Sequence, residues 1–268
     1  MDHIKLCDKI YLVGRGDWGH LPRLTSKYDC NIYLIDGGSE LALIDNGEAL
    51  NFLKLRKNII STGLSVKKIK KLLITHNHFD HVANTWILKK IFKAAVFAGK
   101  GSYFTLKPDR FVKTGDRINV GNVQLRVFNT PGHTPDGLCF LTEINGKKVL
   151  FTGDTALGDQ PRSGKGLVGW YNALWGSDLK KYIKSVRFIK NMDADIILPG
   201  HGAPHLTKKR CRVSMRNCLK RIVRFGRYKE LESMIPLAFD REGVEKCFNL
   251  SPDTQLKFNI RLVKKRGK

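Results

Sequence analysis

The stretch "LLITHNHFDH", residues 72–81, joins an apolar segment to a polar segment that contains three histidines and an aspartate. The apolar part is typical of the end of a buried strand. His76 and His78 lie two residues apart on an extended segment, so their side chains point the same way. Asp80 and His81 begin the next helix and face a second position. One short loop can therefore present imidazole and carboxylate groups to two neighbouring points.

The same arrangement recurs along the chain, because "VFNT" precedes "PGHTPDG", "VLFT" precedes "GDT" and "IILP" precedes "GHG". Strands that end at a common sheet edge bring their following loops together. We therefore expect seven side chains to converge: His76, His78, Asp80, His81, His133, Asp154 and His201. Imidazole and carboxylate suit zinc, manganese or iron, and seven ligands exceed the four of one tetrahedral ion. The sequence predicts two divalent ions, most simply Zn²⁺, with Mn²⁺ or Fe²⁺ as alternatives.

The order of elements predicts an α/β protein. Strands are expected at 10–13, 31–37, 41–47 and 69–75, and again around Gly121 and Asn145 as two hairpins. Helices are expected at 48–60, 84–92 and 178–192. Beyond about residue 206 the chain becomes basic and helical, with Cys211, Met215, Cys218 and Ile222 on one face.

The motif at 76–81, followed by "TPGHT", "FTGDT" and "LPGHG" in that order, resembles the metallo-β-lactamase superfamily over roughly residues 10–205. The resemblance implies a four-layer αββα sandwich with the metals at one sheet edge. With the change of composition beyond residue 206, we expect a metallo-β-lactamase-like catalytic domain at 1–205 and a basic, mainly helical C-terminal extension at 206–268. By the family pattern, His76, His78 and His133 would hold the first metal and Asp80, His81 and His201 the second, with Asp154 bridging them.

The resemblance implies a hydrolase in which a metal-bound hydroxide attacks an ester, thioester or lactone carbonyl, and Asp80 orients that nucleophile. The intracellular members most similar in layout are the glyoxalase II-like thioesterases, although "HTPDG" departs from their usual phrase. Two alternatives stay open. One is a persulfide dioxygenase of the same fold with a single iron, and the other is a nucleic-acid phosphodiesterase or basic nucleic-acid-binding member.

The segment after Asp154 is rich in glycine and aromatic residues and would border the site. Trp170, Tyr171 and Trp175 are candidates for an apolar wall, with pinning of the loop as an equal interpretation. Arg162 and Lys165 are candidates for holding a small anionic substrate such as a thioester.

The formal net charge of the chain is +24, and residues 205–268 contribute 18 Lys and Arg against 6 Asp and Glu. Such a charge bears on partners. Nucleic acid is one candidate partner, but a solvated basic face packed on the core is the favoured interpretation from sequence alone.

No apolar stretch approaches the roughly 18 residues of a membrane span. The start lacks the pattern of a secretory signal, so a cytoplasmic protein without a membrane partner is expected. The six cysteines show no CxxC pair and are expected to be reduced. His3, His20 and His205 are interpreted as ordinary surface or hydrogen-bonded histidines, and Asp36, Asp45 and Asp116 as turn or capping residues.

Overall fold

The computed structural model describes residues 1–17, 21–48, 51–101, 108–159 and 166–226. Within them, twelve strands form two sheets. The first sheet contains β1 (Ile4–Cys7), β2 (Ile10–Gly14), β3 (Ile32–Asp36), β4 (Leu41–Ile44), β5 (Ile69–Leu73), β6 (Ala95–Gly99) and β7 (Arg110–Val112), in that order. The second contains β8 (Arg117–Val120), β9 (Val123–Asn129), β10 (Leu138–Ile144), β11 (Lys147–Gly153) and β12 (Ile196–Pro199). Its order is β12-β11-β10-β9-β8.

Both sheets mix strand directions. In the first sheet β1 to β4 pair antiparallel, whereas β4 to β7 are parallel. In the second sheet only the β11–β12 pair is parallel. The parallel pairs matter for function, because strands that run side by side in one direction deliver their following loops to the same edge.

The main hydrophobic core lies between the two sheets. It takes Tyr33 and Ile44 from the first sheet and Phe140 and Phe151 from the second. β9 shows how the sequence produces this layer, since its residues alternate between buried and exposed along the strand. Alternation places apolar side chains on one face of a strand, so burying that face fixes the register of the sheet.

Helices cover the outer face of each sheet. On the first sheet lie α1 (Phe52–Ser61) and α3 (Thr85–Phe92), and the short α2 (Phe79–Val82) precedes α3. On the second sheet lie α4 (Leu179–Asn191) and α5 (Lys208–Gly226). The layers therefore run helix, sheet, sheet, helix, and the predicted αββα sandwich is confirmed.

α5 shares its core with α4. Its buried residues Cys211, Met215, Cys218 and Ile222 are the face expected from the sequence, and they pack in one cluster with Tyr182 and Val186 of α4. Residues 208–226 thus complete the outer layer of the sandwich. The division of the chain at 205/206 stays a prediction, and residues 227–268 lie outside the described part.

The turn chemistry expected at the hairpins is confirmed. Asn145 and Gly146 both have positive φ angles, as a two-residue turn between antiparallel strands requires. Two short strands, β1 and β7, were not predicted from the sequence.

Within the described residues no helix is long and apolar enough to cross a membrane. Five cysteines in the same part of the chain are free thiols.

Candidate metal centre

The two sheets meet at the edge where β5, β11 and β12 end. The Leu138 amide donates to the Thr75 carbonyl oxygen at 2.7 Å, which joins the start of β10 to the end of β5. The Gly200 amide donates to the Gly153 carbonyl oxygen at 2.8 Å, which joins the loops after β12 and β11. These bonds hold the polar loops of both sheets beside one another.

The first group of side chains contains His76, His78, His133 and Asp154, with one ligand atom of each within 4.8 Å of the others. His78 Nδ1 lies 3.0 Å from His76 Nε2 and 3.1 Å from His133 Nε2. Three imidazole nitrogens from two loops therefore face one point.

The second group contains Asp80, His81 and His201, whose ligand atoms also lie within 4.8 Å of one another. His201 Nε2 lies 3.0 Å from Asp80 Oδ2 and 3.3 Å from His81 Nε2. α2 begins after His78, so Asp80 and His81 lie in the first turn of a helix and not on the extended segment. The His81 ring still lies beside that of His76, with 4.0 Å between the ring centroids.

Asp154 lies between the two groups. Its Oδ2 is 3.7 Å from His133 Nε2 and 3.7 Å from His201 Nε2, and its Oδ1 is 3.7 Å from His81 Nε2. A glycine is required opposite, because a Cβ at Gly200 would lie only 2.2 Å from Asp154 Oδ1. The loop after β12 can therefore approach the carboxylate closely.

Hydrogen bonds behind the histidines fix which nitrogen faces the centre. Asp45 Oδ2 lies 2.8 Å from His81 Nδ1, and the Trp170 carbonyl oxygen lies 2.5 Å from His133 Nδ1. Each oxygen accepts from a protonated Nδ1, which leaves Nε2 as the nitrogen that faces the centre. Asp45 is held in turn by Thr75, whose amide and hydroxyl both donate to it.

Burial and mutual proximity set the protonation of the first group. Burial lowers the pKa of His76 and His133 well below the usual value, and neighbouring histidines lower it further. Burial likewise lowers the pKa of His78 to about 4. These imidazoles are therefore neutral at pH 7, which is the form that binds metal.

The second group is polarised by its carboxylates. Burial alone would raise the pKa of Asp80, but the charge of His81 and the hydrogen bond from His201 hold it far below the usual range. Burial would lower the pKa of His81, but Cys30 and the carboxylates of Asp80 and Asp45 raise it. Burial would likewise lower the pKa of His201, but Asp154 and Asp80 raise it. Burial raises the pKa of Asp154 against the opposing influence of His201.

The donor set suits divalent cations. Asp154 Oδ1 is buried and has no hydrogen-bond partner within the described residues. Such an oxygen is costly to bury unless a cation or donor satisfies it. The facing nitrogens of His76, His78 and His133 lie about 3 Å apart, close enough to bind one cation together. A cation in each group would satisfy both the nitrogens and the oxygen.

The residues predicted to contact the substrate lie in different surroundings from one another. The ring of Trp175 is half-exposed, lies 6.1 Å from the His78 ring and packs edge-on against Trp170 at 5.1 Å. Tyr171 is buried and packs against Phe225 of α5. Arg162 and Lys165 lie outside the described residues.

Sequence reasoning missed two neighbours of the centre. Asp45 was interpreted as a turn residue, but its carboxylate contacts His81 and Thr75. Cys30 is fully buried and forms a potential ligand group with Asp45 and His81. Asp36 and Asp116 do accept turn hydrogen bonds, from the amides of Gly38 and Lys113. His3 is partly buried and pairs with Ser61, and His205 is buried. His20 lies outside the described residues.

Comparison with known proteins decides the family. The sequence profile described as "Metallo-beta-lactamase superfamily" matches residues 26–201. The chain belongs to this superfamily. An atrochrysone carboxyl ACP thioesterase of Aspergillus fumigatus is 31% identical over 179 residues, 65% of this chain and 50% of that protein. A hydroxyacylglutathione hydrolase of Francisella tularensis subsp. novicida is 33% identical over 156 residues, 58% of each chain. This member of the superfamily thus matches half to three-fifths of the length of these relatives.

Solved structures of the superfamily agree with the fold. A class B3 di-zinc metallo-beta-lactamase from an Alaskan soil metagenome has a TM-score of 0.66 at 19% identity, covering 84% of this chain and 92% of that one. A subclass B3 enzyme of Bradyrhizobium japonicum has a TM-score of 0.65 at 23% identity, covering 87% and 96%. At these identities the likeness concerns the fold.

Proposed function

We propose that this protein is a hydrolase that uses two divalent metal ions to cleave an ester, thioester or lactone bond. The observation that supports it is the convergence of seven side chains as two ligand groups around one carboxylate, Asp154. A carboxylate between two cations offsets their repulsion, and paired ions are a recurrent device for hydrolysis.

In this proposal His76, His78 and His133 hold one ion, and Asp80, His81 and His201 hold the other. Asp154 contributes to both. The bound pair would act as Lewis acids and would make water more acidic, most simply as Zn²⁺, with Mn²⁺ or Fe²⁺ as alternatives.

The side chains supply positioning. Asp80 remains ionised because its pKa lies far below the usual range, and its side chain is about a quarter exposed. An ionised and accessible carboxylate can accept a hydrogen bond from an attacking water and orient it. Asp45 and the Trp170 carbonyl oxygen keep His81 and His133 in the ligating tautomer.

The aromatic pair beside His78 supports a substrate with an apolar part. Trp175 leaves nearly half of its surface exposed next to the first ligand group, and Trp170 supports it from behind. We propose that both rings contact the acyl portion of the substrate, with Tyr171 holding the loop from the core. Arg162 and Lys165 would hold an anionic leaving portion. Because two of the similar proteins are named as a thioesterase and a hydroxyacylglutathione hydrolase, a thioester is the first substrate class to test.

The assay uses the metal-loaded full chain with acyl thioesters, aliphatic esters and lactones of increasing acyl length. We expect turnover that a chelator removes, and loss of both turnover and metal retention in His78→Ala and Asp154→Ala. His3→Ala is the control, because this histidine is only partly buried and pairs with Ser61 outside the centre. Full activity of either centre variant would refute the proposal.

A further inference from the structure

The outer helical layer of the second sheet carries an unusual charge. α4 and α5 together contain thirteen Lys and Arg and no Asp or Glu. α5 runs back along α4, since a Cβ at Gly226, its last residue, would lie 3.5 Å from Leu179, the first residue of α4. Two adjacent antiparallel helices thus present one basic surface, which we call the α4–α5 face.

One row of cations on this face is regularly spaced. Arg212, Arg216, Lys220 and Arg224 follow one another at intervals of four residues and all are exposed. Residues four apart lie on the same side of a helix, about 6 Å apart along its axis. The row therefore forms a line of positive charges along most of α5, while the opposite side of the helix is buried in the core.

Few carboxylates neutralise the row. Arg212 forms a two-fold hydrogen bond with Asp193, at 2.9 Å for each contact. Arg216, Lys220 and Arg224 have no carboxylate partner within the described residues. On the opposite outer layer, by contrast, Lys54 and Lys57 of α1 both pair with Asp2, and Lys89 of α3 pairs with Asp109.

The residues of the α4–α5 face suit a nucleic acid better than an acidic protein. A stable protein–protein interface needs a desolvated centre with aromatic or other apolar anchors. Among the described residues of α4 and α5, only Phe188 and Val213 are exposed large hydrophobic side chains. Nucleic acid needs no such centre, because neutralising its phosphates and releasing counterions supplies most of the binding free energy. A line of evenly spaced cations also matches the repeating charge of a phosphodiester strand.

We propose that the α4–α5 face binds the phosphodiester backbone of a nucleic acid, independently of base sequence. The sequence alone favoured a solvated basic face. The exposure, the regular spacing and the scarcity of counter-charges on α5 favour a binding surface instead. This binding goes beyond the proposed hydrolysis, because none of the row residues belongs to the metal centre.

The test measures fluorescence anisotropy of labelled oligonucleotides, one single-stranded and one duplex of the same length, titrated with the full chain at several salt concentrations. We compare the wild type with R216Q/K220Q/R224Q. Each lost phosphate contact should make the negative slope of log K against log salt shallower by about one. The slope of the triple variant should therefore be shallower by about three, and its binding at least tenfold weaker. Whichever oligonucleotide binds more strongly shows whether the face prefers single-stranded or duplex nucleic acid.

The matched control is K54Q/R56Q/K57Q on α1, which removes the same charge from exposed residues of the opposite layer. We expect the control to bind nearly as the wild type does. Equal weakening by both variants would show attraction to net charge alone and would overturn the proposal. So would unchanged binding by R216Q/K220Q/R224Q, or binding of an acidic polypeptide such as polyglutamate in place of both oligonucleotides.

A second measurement does not depend on the variants folding. Lys220 of the wild type should be protected from chemical acetylation when the oligonucleotide is bound, whereas Lys57 on the opposite layer should not. Equal protection, or none at Lys220, would contradict the α4–α5 face as the binding surface.

Discussion

Asp45 holds the His81 imidazole from behind the candidate metal centre. Its carboxylate is almost fully buried, accepts from the Thr75 amide and hydroxyl, and lies 2.8 Å from His81 Nδ1. A carboxylate in this place keeps the proton on Nδ1 and the lone pair on Nε2, where it can reach a metal. The ability of His81 to bind a metal therefore depends on Asp45, which is not one of the seven predicted ligands.

We predict that Asp45→Asn lowers the affinity for the second metal by roughly 10- to 100-fold. An amide offers one oxygen where the carboxylate offers two, so it cannot accept from His81 and from both Thr75 donors. When its NH₂ group faces His81, the imidazole tautomer that blocks Nε2 becomes favoured. Competition with a fluorescent zinc chelator measures the affinity. Asp36→Asn is the control, because Asp36 accepts only a turn hydrogen bond from Gly38. Equal affinity of Asp45→Asn and the wild type would refute the positioning role.

Single site residues could be predicted from the sequence where their identity and order along the chain are distinctive. The seven His and Asp residues form short phrases after apolar strands, and the structure brings all seven together. Asp45 lacked such a signal, because it follows β4 in a segment that also reads as an ordinary turn. Only the pairing of β4 beside β5 brings it to His81, and that pairing is a property of the sheet.

Among the elements, α4 supports the loops that carry the centre. Tyr182 on this helix is fully buried, and its hydroxyl lies 2.8 Å from the Asp154 carbonyl oxygen and 3.2 Å from that of Gly169. The hydroxyl donates toward the backbone of Asp154 and of the segment that leads to Trp170. α4 thus connects the outer helical layer to two loops at the sheet edge.

We predict that Tyr182→Phe lowers the free energy of unfolding by about 1–2 kcal/mol, because a buried hydrogen bond is lost without a change of shape. Urea denaturation followed by circular dichroism measures this loss. Tyr28→Phe, at an exposed ring, should change it by less than about 0.5 kcal/mol. A loss no larger than that of the control would show that the hydroxyl does not support these loops.

Elements with strong periodicity or definite turn residues could be predicted, and short ones could not. The hairpins at Gly121 and Asn145 and the amphipathic helices α4 and α5 agree with the sequence pattern. β1 and β7 have four and three residues, with few buried side chains. Such edge strands depend on pairing with a neighbour, so the local sequence carries little signal for them.

At the scale of the whole molecule, the sandwich organises the chemistry by its layers. Both sheets contribute loops to one edge, and the ligands come from segments far apart in the chain. The outer helices lie on the far faces of the sheets, so the proposed basic surface is separate from the core between them. The net charge follows from the composition. Only the folded structure shows that one row of basic side chains on α5 is exposed and largely without carboxylate partners.

The most direct test of the central claim, a centre for two metals, is elemental analysis of the chain after zinc loading and removal of unbound ions. Metal per chain is measured beside the protein concentration on the same sample. Two ligand groups that share Asp154 predict close to two zinc ions per chain. A single tightly held ion would contradict the account, and one iron retained from purification would point instead to oxidation by a single-metal member of the fold.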